Sequence, residues 1–309
     1  MEDRFYLLNI KHSHPWAPDK SPAEYWLDDR GAAPTFYGDC TVDAVREGTL
    51  NGLRRGEQPA LFVHLLAQAT REGFRPVFIT IDSGKIWIYS PLRGPFEDAP
   101  VKAPKGPSDD LPKYFEVEII TTASVADAPL VLSSMRVNRW LSSGTFVPLT
   151  GIQYRGNIEA ARMLAGLTEQ PISRLDCLSS VELETLVAKL FEEQGFFVPA
   201  YRGGSVDGFD LIVEPPTSPV PALFDLAEEG AALAIQVKLR LSDKSDAHAW
   251  LVKPRRRYLI TAQNTVPKKL ELVAERVLTR SWLTQALAIS PLTRQWLERS
   301  TRWVRQPID

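Results

Sequence analysis

The sequence predicts a two-domain protein of mixed α and β structure, and three observations support that prediction. The chain has 309 residues, which suits about two domains of ~150 residues rather than one small core. Its hydrophobic fraction of 44% and charged fraction of 24% are ordinary for a folded protein and exclude a disordered chain. Short strand patterns give way near residue 170 to alternating helices and strands. We therefore expect a β-rich domain over residues 1–168 and an α/β domain with a mixed central sheet over residues 169–309.

The first half is expected to fold as a β-barrel-like module with a few helices. Its strongest signal is a hairpin, because β-branched and aromatic residues flank the turn sequence D-S-G-K at 82–85. Residues 91–112 contain six prolines and few apolar residues, so we expect a surface loop there. Residues 58–68 fit either a strand or a short helix. The other expected elements are strands at Phe5–Ile10 and Tyr114–Thr121 and a helix at Asn157–Leu167.

The second half is expected to begin with an amphipathic helix over residues 181–194. Ser179 or Ser180 can cap this helix, Gly195 can stop it, and apolar residues recur along one face at helical spacing. A glycine-rich turn and a proline-rich stretch at 214–230 separate the strands that follow. We expect strands at Phe196–Ala200, Leu211–Val213, Ala231–Leu239 and Leu259–Ala262, and helices at Leu270–Leu287 and Thr293–Val304.

Charge is distributed unevenly along the second half. Residues 171–235 hold 3 Lys and Arg against 11 Asp and Glu, whereas residues 236–309 hold 15 against 6. A metal-dependent enzyme acting on a polyanion needs carboxylates for the cation and cations for the phosphates, so the order of these blocks fits such an enzyme. Chance segregation of charge on solvated surfaces is the alternative. Six basic residues are candidate DNA contacts: Lys253, Arg255, Arg256, Arg257, Lys268 and Lys269.

Four polar residues of the second half are candidates for a catalytic site. Asp210 sits where the glycine-rich turn enters an apolar strand. Gln236 and Lys238 lie on the following strand and point the same way, because side chains alternate between the faces of a strand. Neighbouring strands are ~4.8 Å apart, so Asp210 can meet that pair. Glu184, on the preceding helix, can lean over the same edge.

These residues suit metal-assisted hydrolysis of a phosphodiester. Mg²⁺, or Mn²⁺ in its place, takes hard oxygen ligands, and Asp210 supplies a charged one. The Gln236 amide oxygen and the Val237 backbone carbonyl can add two more, and Glu184 can contribute directly or through water. Lys238 can position or help deprotonate the attacking water, or hold the phosphate. In the alternative interpretation, Asp210 shapes a turn, and Glu184 and Lys238 are solvated surface charges.

Three strings of the second half occur in an order and spacing typical of one nuclease family. They are L-S-S-V-E-L-E-T-L-V-A-K-L-F-E-E-Q-G-F-F-V (178–198), D-G-F-D-L-I-V (207–213) and A-I-Q-V-K (234–238). Residues from about 172 to 305 thus resemble an Mrr-like nuclease of the PD-(D/E)xK restriction-endonuclease superfamily.

The resemblance implies a restriction-endonuclease-like core. It equates Glu184 with the family's helix glutamate, Asp210 with its metal ligand, and Gln236 and Lys238 with its Q-x-K pair. Two features depart from the general pattern. Gln236 stands where most of the superfamily has Glu or Asp, which weakens the charge of the metal site. The connection over residues 214–230 is longer than usual.

Aromatic residues are frequent in the first half and include Trp16, Trp26, Trp87 and Tyr89. The order of F-Y-L-L-N-I, H-P-W, L-F-V-H-L-L, the hairpin and F-E-V-E-I-I loosely resembles EVE and PUA-like modules, which hold a modified or flipped base between aromatic side chains. Stacking of a base on an aromatic side chain is worth roughly 1–3 kcal/mol. The resemblance implies that these four residues recognise a base. An unassigned protein- or nucleotide-binding domain is the alternative.

Together these features predict an endonuclease of the restriction or antiviral-defence type that cuts double-stranded DNA after its first domain recognises a DNA feature, such as a modified base. One active site cuts one strand, so a double-strand break would require a homodimer, and the need for an accessory defence-system subunit stays open. The alternative is a ligand- or partner-gated sensor or DNA-binding subunit of nuclease fold without autonomous cleavage. The absence of a signal peptide or a membrane-length apolar run, together with only two cysteines, predicts a cytoplasmic protein with no membrane partner.

Overall fold

A computed structural model describes residues 1–10, 19–36, 41–48, 57–99, 101–102, 109–137, 145–151, 154–167, 173–199, 209–226, 231–241, 247–252 and 256–302. The chain divides into two compact units, Met1–Glu169 and Gln170–Asp309, and a separate main sheet is built in each. The architecture is therefore mixed α and β. The assignment of one unit to DNA recognition and the other to cleavage stays a prediction.

The first unit is built on one large sheet. Its strands are β1 (Glu2–Leu8), β2 (Ala32–Phe36), β3 (Phe74–Asp82), β4 (Lys85–Glu97), β7 (Pro112–Ser124) and β8 (Phe146–Pro148), with a separate ribbon of β5 (Val101–Lys102) and β6 (Asp109–Asp110). The order across the sheet is β2-β7-β4-β3-β1-β8, in which β1 and β3 run parallel and the other neighbours antiparallel. The sheet curls into a half-barrel with β2 and β8 at its ends.

The predicted hairpin in this unit is confirmed. Phe78 pairs with Tyr89 and Asp82 with Lys85. The two turn residues have left-handed backbone angles, with φ of 44° at Ser83 and 78° at Gly84. Two successive residues with positive φ form the tight turn whose twist matches that of paired strands, and glycine adopts such a conformation without strain.

Helices flank the large sheet of the first unit. They are a π-helix at Glu24–Asp29 and α-helices α1 (Val42–Arg46), α2 (Glu57–Val63), α3 (Leu65–Glu72), α4 (Leu130–Val137) and α5 (Arg155–Leu164). Residues 58–68 are thus helical, which decides between the two predicted alternatives. The helix predicted at Asn157–Leu167 is present and begins two residues earlier.

The prediction of a surface loop over residues 91–112 is wrong in part. Strand β4 continues to Glu97, and Pro91 pairs with Val117 and Phe96 with Tyr114. The pairing register shifts between Pro91 and Arg93 and again before Phe96. Such irregularities let a strand continue past prolines, which cannot donate a ladder hydrogen bond.

The second unit has a four-stranded mixed sheet between two apolar layers. Its strands are β9 (Leu211–Val213), β10 (Leu233–Lys238), β11 (Arg257–Thr261) and β12 (Val277–Leu278), in the order β12-β11-β10-β9. Among these four described strands, β9 alone runs antiparallel to its neighbour. The α-helices are α6 (Ser180–Glu193), α7 (Ala247–Val252), α8 (Arg280–Ala288) and α9 (Pro291–Ser300), and 3₁₀ segments lie at Arg174–Cys177, Ala222–Phe224 and Lys268–Arg276.

Helix α6 forms as predicted and packs on one face of this sheet. The Ser179 side chain accepts from the Glu182 N–H while the Glu182 carboxylate accepts from the Ser179 N–H, which satisfies two donors at the helix start. Gly195, with φ of 86°, follows its end. Its buried face joins Ile235, Val237 and Ile260 of the sheet in one cluster. On the other face, Leu259 packs with Leu251 of α7 and Leu270.

Three predicted elements of the second unit differ from the structure. The helix predicted over Leu270–Leu287 is wrong, because it is split into a 3₁₀ segment, β12 and α8. Val277 and Leu278 pair in parallel with β11, and sheet pairing overrides helix propensity there. The strand predicted at Phe196–Ala200 is reduced to a single bridge between Phe197 and Glu214. Observed β10 is shorter than the predicted Ala231–Leu239 strand.

The proline-rich connection between β9 and β10 is anchored to the core in its described part, up to residue 226. Phe224 is fully buried and packs edge to face against Phe191. The Trp282 indole donates to the Leu223 carbonyl at 3.1 Å, and the Tyr258 hydroxyl donates to the Leu226 carbonyl at 3.2 Å. These contacts make this part of the connection a component of the packed core.

Across the described ranges of both units, every helix is too short or too polar to cross a membrane.

Candidate active site

The geometry of the candidate site starts at Asp210, the residue before β9. Its backbone N–H donates to the Ile235 carbonyl at 2.8 Å, and its Oδ2 accepts from the Val237 N–H at 2.6 Å. Two hydrogen bonds therefore fix the Asp210 carboxylate against β10. The N–H and carbonyl of one strand residue face the same neighbouring strand, so the Val237 carbonyl also points toward the Asp210 side.

Gln236 lies beside Asp210 on the sheet. Leu211 pairs with Ile235, so continuing the antiparallel register by one residue sets Asp210 opposite Gln236. The Gln236 Oε1 is buried and, among the described residues, has no hydrogen-bond partner. Native proteins pair nearly all buried polar atoms, and an unpaired one costs about 1–3 kcal/mol. An unsatisfied amide oxygen next to a carboxylate is what a cation site needs.

Lys238 shares the Gln236 face of β10. The burial of β10 alternates: Leu233, Ile235 and Val237 are buried, whereas Gln236 and Lys238 are partly exposed. The pairing of Gln236 with Leu259 places this polar row on the sheet face that α7 covers. The structure thus brings Asp210, Gln236 and Lys238 together on one face, as the strand alternation predicts.

Glu184 of α6 lies within electrostatic reach of the same group. Burial raises the pKa of Glu184, the negative charge of Asp210 raises it further, and the positive charge of Lys238 lowers it. A half-buried carboxyl with a raised pKa beside a second carboxylate is typical of functional sites. Glu184 therefore lies near Asp210 and Lys238, on a helix that packs on the opposite face of the sheet from the Gln236 row.

The donor set of this cluster fits a hard divalent cation. Asp210 and Glu184 offer carboxylate oxygens, and Gln236 offers the buried oxygen without a described partner. Within the described ranges, no group of three or more His, Cys, Asp and Glu side chains could hold a metal ion. The site has two carboxylates only, so amide and backbone oxygens and water would have to complete the coordination.

The predicted DNA contacts are placed unequally. Lys253 and Arg255 lie outside the described residues. Arg256 and Lys268 are exposed, and Lys269 is partly exposed. Arg257 differs from these residues, because its guanidinium carbon lies 5.1 Å from the centre of the Trp250 ring. Trp250 was not a sequence-based candidate, and no motif around it distinguishes it from a core residue.

The predicted base-stacking residues lie in the core of the first unit. Trp26, Trp87 and Tyr89 are almost fully buried, so their faces are covered by protein and are not available to stack on a base. The three rings belong to one apolar cluster, to which β4 contributes Trp87 and Tyr89 and the π-helix contributes Trp26. Trp16 lies outside the described residues. The expectation of a base-stacking surface formed by the three described rings is therefore corrected.

Comparison of the chain with protein-family profiles, curated proteins and solved structures gives no match. The assignment of the site therefore rests on its chemistry and geometry.

Proposed function

We propose that the second unit is a Mg²⁺-dependent endonuclease that hydrolyses phosphodiester bonds of double-stranded DNA. The observation that carries the proposal is the buried oxygen of Gln236, which has no partner among the described residues, beside the fixed carboxylate of Asp210. Glu184 adds a second carboxyl group and Lys238 an ammonium group near Asp210. The resemblance to Mrr-like nucleases supplies the substrate class.

Each residue of the cluster has a distinct chemical task in this proposal. Asp210, Gln236, Glu184 and the Val237 carbonyl would hold the cation. When bound, Mg²⁺ would lower the pKa of a coordinated water and neutralise charge that develops at phosphorus. Lys238, a compact cation with three donors, would orient the attacking water or the phosphate oxygen.

Glu184 differs from a solvated glutamate in how strongly it holds a proton. Burial and the neighbouring Asp210 carboxylate both raise its pKa, which favours the protonated form over that of a solvated carboxyl. A cation at the site would stabilise its ionised form instead. Binding of a cation at the site is therefore expected to be accompanied by loss of a proton from Glu184.

The proposal is tested by cleavage of plasmid DNA with and without Mg²⁺. Asp210→Asn keeps the shape of the side chain and removes its charge, and Lys238→Met keeps the length and removes the ammonium. Each variant should lose at least about 100-fold in rate, because metal and phosphate contacts of this kind supply several kcal/mol. Glu192→Ala is the matched control, since it removes an exposed carboxylate from α6 without touching the cluster.

Metal binding gives a second readout that does not depend on turnover. Mg²⁺ should raise the melting temperature of the wild-type protein, by the equivalent of about 2.7 kcal/mol at a concentration 100 times Kd. The same addition should leave Asp210→Asn unchanged. Equal cleavage by wild type, Asp210→Asn and Lys238→Met would overturn the assignment. Tight DNA binding without metal-stimulated cleavage would favour the non-cleaving DNA-binding subunit.

A further inference from the structure

A second feature of the α7 face is an arginine held in place from two sides. The Arg257 guanidinium stacks on the Trp250 ring with 5.1 Å between its central carbon and the ring centre. Its Nη1 donates to the Trp250 carbonyl at 3.1 Å. Trp250 lies in the last turn of α7, where backbone carbonyls lack intrahelical partners. Both contacts fix the plane of the guanidinium before any ligand arrives.

The charge of Arg257 is not balanced by a carboxylate among the described residues. Other partly buried arginines of the unit are tied down differently: Arg280 pairs with Asp176 at 3.0 Å, and Arg174 donates to the Thr301 carbonyl and hydroxyl. Arg257 is only partly exposed, and stacking and one carbonyl leave most of its five N–H donors for a ligand. A preorganised guanidinium without a counter-charge is a favourable anion site.

The register of the sheet places this arginine near the candidate cation site. Arg257 pairs with Ala234 across the β10–β11 ladder, so it lies on the same sheet face as Gln236 and Lys238. Ala234 and Gln236 are two residues apart, which is about 7 Å along the strand. An anion on Arg257 would therefore lie beside the row of polar side chains and not on the opposite layer.

We infer that Arg257, oriented by Trp250, is a phosphate ligand that binds the DNA backbone next to the phosphate at the candidate cation site. This inference rests on the proposed function for its substrate, and it selects Arg257 from the six basic residues that the charge distribution offers as DNA contacts. Arg256, the preceding residue, has the same charge but is exposed and makes no ring or side-chain contact in the described part of the structure. Comparing Arg257 with Arg256 therefore compares an oriented guanidinium with a solvated one.

A purely structural role predicts different behaviour. The Arg257 contact with the Trp250 carbonyl also caps the end of α7, and a cation there interacts favourably with the helix dipole. If capping were its only task, removing Arg257 would lower the melting temperature and leave the DNA affinity of the folded protein unchanged. A phosphate ligand instead changes the dependence of binding on salt.

The test uses the full-length protein and a short fluorescein-labelled DNA duplex without divalent metal, with binding followed by anisotropy between about 50 and 200 mM salt. Arg257→Gln should weaken binding roughly tenfold and reduce the slope of log affinity against log salt by about 1. Arg257→Lys should recover the slope but only part of the affinity, because lysine lacks the planar fork that stacks on Trp250. Arg256→Gln should change affinity by less than about twofold.

The outcomes separate this inference from the proposed function. Binding by Arg257→Gln with wild-type affinity and slope, or losses of equal size at positions 256 and 257, would overturn the Arg257 assignment alone. Wild-type cleavage by Asp210→Asn together with the expected slope change at Arg257 would overturn the catalytic site and leave the phosphate contact standing. No duplex binding by the wild-type protein would overturn both. Melting curves of the three arginine variants verify that each is folded at the assay temperature.

Discussion

Strand β4 of the first unit and strand β10 of the second both carry buried polar side-chain atoms. The buried atoms of β4 have hydrogen-bond partners, whereas that of β10 has none among the described residues. On β4, the Trp87 indole donates to Asp28 at 2.8 Å, and the Tyr89 hydroxyl lies 2.7 Å from the Thr80 hydroxyl. Thr80 in turn donates to the Leu8 carbonyl. On β10, the Gln236 Oε1 is buried and no described group pairs with it.

The difference shows how a core polar group and a site polar group are distinguished. Both kinds of residue lie on well-formed strands: Ile86–Tyr89 of β4 form a continuous buried run, whereas buried and partly exposed residues alternate along β10. The two kinds of residue differ in whether the buried polar atom has a hydrogen-bond partner in the described structure. Paired groups rigidify the core, whereas an unpaired group is costly and persists where a ligand can complete it.

The largest expected effect is on the packed side of this comparison. Trp87→Ala should lower the free energy of unfolding of the first unit by about 3–5 kcal/mol, because it removes a fully buried ring and leaves a cavity. Urea denaturation followed by hydrogen exchange of peptides from β3 and β4 measures the change. Leu92→Ala, on the same strand but 60% exposed, should cost less than about 0.5 kcal/mol. Similar losses at the two positions would contradict the placement of Trp87 in the core.

The opposite sign is expected on β10. Gln236→Leu should raise the free energy of unfolding of the second unit by about 1–3 kcal/mol, because it removes a buried atom that no described group pairs with while keeping the side-chain volume. Mg²⁺-dependent cleavage should fall in the same variant, since activity and stability compete at such a position. Gln295→Leu, at an exposed position of α9, is the control. A loss of stability at position 236 would show that the amide has a structural partner.

A smaller effect is expected at the hydroxyl of Tyr89. Tyr89→Phe should lower the free energy of unfolding by about 0.5–1.5 kcal/mol, because one buried hydrogen bond is lost while Thr80 keeps its bond to the Leu8 carbonyl. Burial also raises the pKa of Tyr89 far above its ordinary value, so the hydroxyl stays protonated throughout the working range. A pH-dependent fluorescence or absorbance change from this tyrosine below pH 10 would argue against its burial.

The smallest expected effects are pH dependences of opposite sign in the two units. Hydrogen bonds from Arg4 and Gln68 lower the pKa of Glu72, so its contribution to stability is present above the ordinary pKa of 4.5 and is lost as pH falls through the shifted value. Burial and Asp210 raise the pKa of Glu184, so stability is greatest below 4.5 and declines as pH rises through the shifted value.

Glutamine variants check these signs by melting temperature against pH in metal-free buffer. Glu72→Gln should lower the stability of the first unit at neutral pH and flatten its acid limb. Glu184→Gln should raise the stability of the second unit above pH 4.5 and flatten the decline there. Changes in the same direction for both variants would contradict one of the two assigned environments.

Sequence patterns correctly predicted the helices and turns that are determined by residues close together in the chain. Helix α6 follows from its apolar spacing, its serine cap and Gly195, and the β3–β4 hairpin follows from a turn that requires positive φ. The predictions failed where distant pairing competed with local preference. Residues Val277 and Leu278 became a strand because β11 lay beside them, and β4 continued past Pro91 because β7 offered partners.

The sequence predicted the residues of the candidate site and part of their arrangement. Strand alternation put Gln236 and Lys238 on one face, and the turn before β9 put Asp210 at its edge. The same reasoning assigned Trp87 and Tyr89 to a base-binding surface, although both are buried. It also missed Trp250, whose contact with Arg257 gives that arginine a fixed orientation.

By itself, the sequence determined which segments could become helices and strands, because that choice depends on neighbours within a few residues. It also determined which chemical groups were available at each strand position. The tertiary structure decided which of those groups found a partner: Asp28 reaches Trp87 across 59 positions of the chain, and Asp210 reaches Val237 across 27. Hydrogen bonds and desolvation act between atoms brought together by the whole fold, so only the fold could separate a satisfied core group from a group that awaits a ligand.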